Sequence, residues 1–270
     1  MATTIFVTAD KIERNGRLID ARYDMTNPEL GKQLYKEGHI EGAIFWDLNE
    51  DMSDMTRDEG RHPLPSKAQL QQLFETHGLH VNDAIYVYDQ GASPFATRAW
   101  WLLHYAGFKH AYVVNGGFEA MKEAGFSVTT NVPSFVPTTL TLDWNDDILL
   151  KRSDIVRLVE GKSKATLLDA RANNRYRGEV EPLDAVAGHI PTAKNYDWEQ
   201  LREGANLVMT SSLLEKVKKD EDIVVYCGSG VTATPIYSIL KQAGYQNVKV
   251  YMAGYSDWVK HHPVELGENE

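Results

Sequence analysis

The single cysteine of the chain stands in a context typical of a nucleophile. Cys227 follows the apolar run Ile223–Tyr226, and a loop with two glycines leads from it into a helical pattern that begins between Val231 and Thr234. In an open α/β sheet, ligands bind where a parallel strand ends, and the first amides of the next helix point at them. Such amides favour a thiolate and would also hold the anionic sulfur of a persulfide. A packed, unreactive cysteine is the alternative, but this position predicts catalysis.

The loop that follows Cys227 is the expected substrate-binding segment. Its backbone N–H groups and hydroxyls make six residues candidates: Gly228, Ser229, Gly230, Val231, Thr232 and Ala233. Two interpretations of the hydroxyls of Ser229 and Thr232 remain open, because they can satisfy backbone groups at the helix start, or relay a proton and bond the substrate. The loop contains no basic residue, so a charged substrate needs a cation from another segment.

A repeat divides the chain into two similar halves. The sequence LIDAR at 18–22 recurs as LLDAR at 167–171, and the GHI of 38–40 recurs at 188–190. Further on, IYVYD at 85–89 matches IVVYC at 223–227. The offset falls from 150 to 138 residues between the last two matches, so the first copy carries about a dozen extra residues. The polar stretch 49–65 is the expected insertion, and its composition is typical of a loop.

Alternating strand and helix patterns predict the fold class. Helical patterns at 97–106 and 234–243 lie between short runs that are apolar on successive residues, which indicates buried parallel strands at Ile85–Tyr88, Ala111–Val114, Ile223–Tyr226 and Val248–Tyr251. The second helix has Pro235 in its first turn and Gly244 after its end. We therefore predict an α/β protein with two tandem domains, each a central, mainly parallel sheet flanked by helices.

The composition between the two copies predicts a linker. Residues 127–142 contain two prolines, five threonines and no charged side chain, which is typical of an extended segment. We expect an N-terminal domain at 1–126 and a C-terminal catalytic domain at 143–270. Two similar domains joined in this way can enclose a cleft, which is a common position for a ligand.

The first copy has an aspartate where the second has its cysteine. Asp89 ends the strand that matches Ile223–Tyr226. A carboxylate cannot replace the thiol as a nucleophile, so we expect the first domain to be inactive and to shape the cleft.

Composition excludes several classes of partner and site. With 28 Lys and Arg against 38 Asp and Glu, the net charge is −10 and the sequence pI is near 5.4, which disfavours nucleic acid and anionic membranes. A lone cysteine excludes an intrachain disulfide, a Cys-rich zinc site and a CxxC pair, and we expect no metal or cofactor. No apolar run is long enough to span a membrane and no secretory leader is visible, so we expect a cytoplasmic protein.

The motifs together resemble the two-domain rhodanese family of sulfurtransferases over essentially the whole chain. The loop CGSGVTA at 227–233, the segment LLDARANNRYRGEVEP at 167–182 and the repeated GHI carry this resemblance. It implies that Cys227 takes a sulfur atom from a donor as a persulfide and passes it to cyanide, a thiol or thioredoxin. The CGSG loop resembles that of 3-mercaptopyruvate sulfurtransferases, whereas the animal thiosulfate enzymes carry Arg and Lys after the cysteine.

The resemblance also implies which arginines bind the donor. The family's substrate arginine falls on Arg175, and Arg177 is a second candidate. The mercaptopyruvate enzymes commonly have another arginine after Glu-Pro, but here that position is Leu183. Thiosulfate and 3-mercaptopyruvate therefore both remain candidate donors.

The sequence argues against two functions other than sulfur transfer. A cysteine phosphatase needs an arginine six residues after its cysteine to bind phosphate, and this chain has Ala233 there. A non-catalytic binding module would have little need of Cys227. The paired residues His39 and His189, like Asp20 and Asp169, occur in both copies, so we expect structural roles for them, in hydrogen bonds or ion pairs that fix loops.

Overall fold

The computed structural model describes residues 4–268. Its first half contains seven strands: β1 (Phe6–Val7), β2 (Arg17–Asp20), β3 (His39–Ile40), β4 (Ala43–Phe45), β5 (Ile85–Tyr88), β6 (Ala111–Val114) and β7 (Val128–Thr129). The described part of the second half also contains seven: β8 (Leu149–Leu150), β9 (Thr166–Asp169), β10 (Lys194–Asn195), β11 (Arg202–Glu203), β12 (Asn206–Leu207), β13 (Ile223–Tyr226) and β14 (Val248–Tyr251).

Nine α-helices accompany these strands in residues 4–268. They are α1 (Leu30–Glu37), α2 (Lys67–Thr76), α3 (Phe95–Tyr105), α4 (Gly117–Glu123), α5 (Arg152–Val159), α6 (Asn173–Tyr176), α7 (Ser211–Lys216), α8 (Thr234–Gln242) and α9 (Gly254–Trp258). None of the helices in this part of the chain is both long and apolar enough to cross a membrane.

Two five-stranded parallel sheets form the centres of the two halves. The first has the strand order β1-β6-β5-β2-β4, and the second has the order β8-β14-β13-β9-β10. Each strand of one sheet has its repeat partner at the same place in the other. The two-domain α/β prediction is confirmed, because the sequence repeat is also a repeat of topology.

The four predicted central strands occur at the expected residues. All four residues of β5 and of β13 are buried, as successive apolar side chains require when helices cover both faces of a parallel sheet. The predicted helices also form, with α3 beginning two residues before the expected start and α8 carrying Pro235 in its first turn. Proline suits this place because a first-turn N–H has no helical partner.

Helices α3 and α8 pack against each other across the boundary between the two halves. The buried hydroxyls of Thr97 and Thr234 lie 2.9 Å apart at this contact. The side chain of Gln242, on α8, accepts hydrogen bonds from the backbone N–H groups of Ile5 and Phe6 beside β1 at 3.0 and 2.8 Å. One cluster of buried apolar side chains includes residues from both halves. The two halves therefore share a core.

The segment between the halves begins as part of the first one. Strand β7 pairs antiparallel with β3, and the rest of 127–142 has no regular structure. The stretch 49–65 is also irregular, as expected for an insertion. Its contacts, however, extend to the second half, where they build part of the site.

Candidate active site

Cys227 lies immediately after β13 and only 1% of it is exposed. Its Sγ accepts a hydrogen bond from the Gly230 N–H at 3.1 Å. Gly230 has φ of 75°, and a Cβ there would overlap the Met252 carbonyl oxygen, so only glycine fits without strain. The N–H of Tyr255, in α9, donates to the Cys227 carbonyl at 2.7 Å. The thiol is thus held at the end of a strand by backbone contacts on both sides.

The turn that leads into α8 provides free hydrogen-bond donors. Among residues 4–268, no acceptor bonds the N–H groups of Val231, Thr232 or Ala233. The side chains of Val231 and Ala233 are buried, so these residues offer only backbone groups to a ligand, whereas Thr232 is partly exposed. Free amides beside a sulfur atom can stabilise an anion that forms on it.

The insertion of the first half contributes two residues that the sequence interpretation missed. Its Gly60 packs against the Ala253 carbonyl, and the Arg61 N–H donates to Ser256 Oγ at 3.1 Å. This docking places His62 Nδ1 2.8 Å from Ser229 Oγ. The open question about Ser229 is answered in part, because its hydroxyl bonds a histidine and α8 has no side-chain cap.

His62 is a neutral hydrogen-bonding group near pH 7. Burial lowers its pKa to about 4, and the positive charges of Arg98 and Arg61 lower it in the same direction. A neutral imidazole can accept a proton from a hydroxyl or pass one to it. The pair of His62 and Ser229 therefore places a hydroxyl and a neutral imidazole, both able to donate or accept a proton, in and beside the loop.

Two guanidinium groups converge on the loop beside Cys227. Both lie close to Gly228: if this glycine carried a Cβ, one Nη of Arg175, on α6, would be 3.8 Å from it. An Nη of Arg61 would be closer still. Both pair with Asp184, Arg61 directly and Arg175 at 3.5 Å. Arg175 also pairs with Glu181 at 2.7 Å. The two cations thus come from different halves and share one carboxylate.

The second arginine candidate lies elsewhere. Arg177 pairs with Glu179 at 3.0 Å and with Glu268 at 3.7 Å, and 43% of its side chain is exposed. The structure therefore does not bring Arg177 to the loop with Arg175. Leu183, at the position where the family often has an arginine, is exposed. Arg61 provides a cation in this region from the opposite domain.

Asp89 occupies the corresponding place in the first half. Its carboxylate accepts hydrogen bonds from the N–H groups of Gly91 at 2.8 Å and Ala96 at 2.9 Å. The Phe118 N–H, at the start of α4, donates to its carbonyl at 2.8 Å, as Tyr255 does for Cys227. Burial raises the pKa of Asp89 to about 6, although the backbone donors act in the opposite direction. In the first half, the backbone N–H groups of the loop therefore bind the carboxylate of Asp89 itself.

The repeated histidines and aspartates have the expected structural contacts. His39 is buried, stacks on Tyr35 and bonds its carbonyl at 2.7 Å, and His189 does the same with Tyr176 at 2.8 Å. The aspartates form buried ion pairs at 2.7 Å, with the matching pairs Asp20–Arg22 and Asp169–Arg171. Residues 4–268 contain no group of three or more His, Cys, Asp or Glu side chains placed to hold a metal ion.

One signal in the sequence pointed to Arg61 and His62. The first copy is about a dozen residues longer than the second, and the excess contains both residues. An insertion present in only one of two copies invites a functional explanation, but its sequence does not show which domain it contacts.

Comparison with known proteins agrees with the geometry. The family model described as "Rhodanese-like domain" matches residues 7–124 and 153–261. The chain is 35% identical over 263 residues to the "Probable 3-mercaptopyruvate sulfurtransferase" of Pseudomonas aeruginosa, covering 93% of this chain and 92% of that one. It is also 35% identical over 248 residues to the "Putative thiosulfate sulfurtransferase SseB" of Mycobacterium tuberculosis, with 89% and 87% covered.

A solved structure resembles the whole fold. The crystal structure of SseA from Escherichia coli superposes with a TM-score of 0.80 at 29% identity, covering 94% of this chain and all of that one. The resemblance seen in the sequence motifs is confirmed. With two matched domains and relatives of this similarity, the chain belongs to the rhodanese family and is a two-domain sulfurtransferase.

Proposed function

We propose that Cys227 carries the transferred sulfur as a persulfide and that 3-mercaptopyruvate is the preferred donor. A sulfurtransferase takes its sulfur from a small-molecule donor, and the relatives described above include one named for 3-mercaptopyruvate and one named for thiosulfate. The observation that carries the choice of donor is the contact between Ser229 and His62 beside the thiol.

The first step forms a sulfur–sulfur bond. The Cys227 thiolate attacks the thiol sulfur of 3-mercaptopyruvate, and the bond from that sulfur to carbon breaks, so that its electron pair leaves with the pyruvate enolate. The enolate carbon then takes up a proton, which the sulfur has lost, to give pyruvate and an anionic persulfide. The free amides of 231–233 stabilise that anion.

The need for a proton distinguishes the two donors. When thiosulfate is attacked, sulfite leaves with the electron pair and needs no proton. The mercaptopyruvate reaction moves a proton from sulfur to carbon, and a buried, neutral imidazole bonded to a hydroxyl can carry it. The Ser229 and His62 pair is useful for only one of these reactions.

Arg175 and Arg61 would bind the anionic end of the donor. In the structure both arginines pair with the side chain of Asp184, which is 5% exposed. The carboxylate of Asp184 thus lies where we place the carboxylate of the donor. A donor carboxylate can replace Asp184 in these contacts, since guanidinium groups bind carboxylates through paired N–H donors. Arg61 would then supply the second positive charge, which the mercaptopyruvate enzymes commonly have at the position of Leu183.

The second step regenerates the thiolate. An acceptor thiolate attacks the outer sulfur of the persulfide, the sulfur–sulfur bond breaks, and Cys227 leaves as a thiolate while the acceptor carries the sulfur. A small thiol, cyanide or thioredoxin fits this chemistry. We further propose a cytoplasmic location, where a single thiol stays reduced, and domain limits at 1–126 and 143–270 with a linker between them.

Intact-protein mass spectrometry tests the persulfide and the donor together. We expect 3-mercaptopyruvate to add one sulfur atom per chain, and Cys227→Ser to add none. In steady-state assays we expect kcat/KM for 3-mercaptopyruvate to exceed that for thiosulfate by about tenfold or more, and His62→Gln to lower only the former. Sulfur retained by Cys227→Ser contradicts the persulfide, and a preference for thiosulfate contradicts the donor assignment.

A pair of arginine variants tests the donor contact. We expect Arg175→Ala to raise KM for the donor by about 10- to 100-fold, because a charge-assisted pair of this kind contributes about 1.5–3 kcal/mol. Arg177→Ala is the matched control, because it removes the same side chain two residues away, where it pairs with Glu179 and Glu268. Equal effects of the two substitutions on KM would remove the role assigned to Arg175.

A further inference from the structure

A buried arginine of the first half lies against the active-site loop of the second. Arg98 is on α3 and its side chain has no exposed surface. One Nη donates to the Gly230 carbonyl at 3.3 Å and to Met252 Sδ at 2.9 Å. The other donates to the Met52 carbonyl at 2.9 Å and to the His62 carbonyl at 3.4 Å. Arg98 therefore contacts the residue whose N–H holds the Cys227 sulfur.

The charge of Arg98 has no carboxylate partner. All of its hydrogen-bond acceptors are uncharged, its Nε has no partner, and no Asp or Glu within residues 4–268 forms an ion pair with it. Burying a guanidinium is costly unless an anion compensates for it. Burial lowers the pKa of Arg98 to about 10, and the negative charge of Cys227 acts in the opposite direction.

The other cations around the loop are compensated or neutral. Arg61 pairs with Asp184, and Arg175 pairs with Asp184 and Glu181. His62 is neutral above its pKa of about 4. Of the positive charges named here, Arg98 is thus the one for which residues 4–268 supply no carboxylate partner. An anionic sulfur at Cys227 fits this requirement.

We propose that the buried guanidinium of Arg98 is the fixed positive charge that stabilises the anionic sulfur of Cys227, first as the thiolate and then as the persulfide. The persulfide part rests on the proposed function, whereas the thiolate part does not. Arg98 is a positioning residue, because it acts through its charge and through its hydrogen bond to the Gly230 carbonyl. In this arrangement the inactive domain supplies the counter-charge for the active one.

The rate of Cys227 alkylation as a function of pH tests this inference directly. The full-length protein is treated with iodoacetamide from about pH 5 to about pH 10 without a sulfur donor, and the modified fraction is followed by mass spectrometry. Since Cys227 is the single cysteine, the rate reports the thiolate fraction at one site. We expect Arg98→Met to raise the midpoint of the rate profile by at least about one pH unit. At pH values below the midpoint, alkylation of Cys227 would then be about tenfold slower than in the parent protein.

A charge-conserving variant separates the charge from the hydrogen bonds. Arg98→Lys keeps the cation but loses the forked contacts, so its midpoint should remain close to that of the parent protein. If Arg98→Met does not fold by circular dichroism, Arg98→Gln replaces it, because glutamine keeps donors without a charge. A midpoint that does not move in the neutral variant, or that moves equally in Arg98→Lys, overturns the proposal.

Failure of this inference and failure of the proposed function give different results. If Cys227 gains sulfur from the donor but the neutral variant leaves the alkylation profile unchanged, the persulfide mechanism stands and the role of Arg98 is wrong. If the profile moves but no sulfur is gained, Arg98 is the counter-charge of the thiolate and the proposed persulfide of Cys227 is wrong.

Discussion

The ends of β5 and β13 show two uses of the same backbone site. At the end of β13, the Cys227 sulfur has one backbone N–H donor, and three more N–H groups in the turn have no acceptor in the described chain. At the end of β5, Asp89 fills its site with its own carboxylate, which takes two N–H donors. The donors at the end of β5 are thus occupied by a side chain of the protein itself, whereas those at the end of β13 are free to bind an anion.

This difference indicates that the two copies contribute different groups to the candidate site. The first copy has no sulfur carrier, but its insertion brings Arg61 and His62 to the loop of the second copy. The first copy thus supplies side chains to the candidate site of the second. Comparisons of equivalent substitutions in the two copies can therefore separate the needs of the scaffold from those of the chemistry.

The largest expected effect comes from a glycine of the active loop. Gly230→Ala places a Cβ on the Met252 carbonyl and forces alanine to a φ of 75°, so the N–H that holds the sulfur must move. We expect sulfur-transfer kcat/KM to fall by about 100-fold or more, because displacements of about 1 Å have effects of this size.

The first domain offers a matched control for that substitution. Ala92 follows Asp89 by three residues, as Gly230 follows Cys227, and it already has a positive φ of 45°. Ala92→Gly should leave kcat/KM within about twofold of the parent value, because glycine tolerates this conformation. Equal losses of activity in the two variants would contradict the claim that only the loop after Cys227 takes part in sulfur transfer.

A smaller effect is expected on the pH dependence of stability. The pKa of Asp89 is about 6 in the folded chain and near 3.8 in the unfolded one, so the folded state binds the extra proton between these values. Stability therefore falls as pH rises through this window. Relative to Asp89→Asn, the parent protein should lose up to about 3 kcal/mol of unfolding free energy between about pH 3.5 and pH 7.

Urea denaturation at a series of pH values measures this difference. Asp220→Asn is the control, since Asp220 is an exposed carboxylate of the second half. A stability difference between Asp89→Asn and the parent that stays constant with pH would show that the buried carboxylate ionises as it does in the unfolded chain.

The smallest expected effect is none. Asp89→Cys in a Cys227→Ser background places a thiol at the end of β5, but no arginine within residues 4–268 forms an ion pair at that position. Gln90 also closes the loop onto the Tyr23 carbonyl at 2.7 Å. We expect no sulfur gain after donor treatment. A gain of one sulfur atom would show that a thiol at this strand end is sufficient.

The sequence predicted the scaffold well because its signals are local. Apolar runs such as Ile223–Tyr226 determine buried strands, and a repeat of the same order of elements produced a repeat of the sheet. The place of Cys227 at a strand end also followed from local sequence. Its predicted role as the persulfide carrier stays a prediction, as does substrate binding by 228–233.

The rest of the site depends on contacts that are distant in sequence. His62 meets Ser229 across 167 residues, and no periodicity or turn motif encodes that pairing. Arg175 and Arg177 are both candidates in the sequence, but in the structure only Arg175 of the two lies near the loop. Docking between the two halves brings Arg61 and His62 to the loop, and no local motif encodes that contact.

The bond between Gln242 and the two amides beside β1 has a consequence for solubility. β1 is an outer strand of its sheet, and unpaired N–H groups on such a strand are a template on which another chain can add a strand. Gln242 occupies the amides of Ile5 and Phe6 with a side chain of the same molecule. Helix α8 thereby removes two N–H groups with which a strand of another chain could pair at this edge of the sheet.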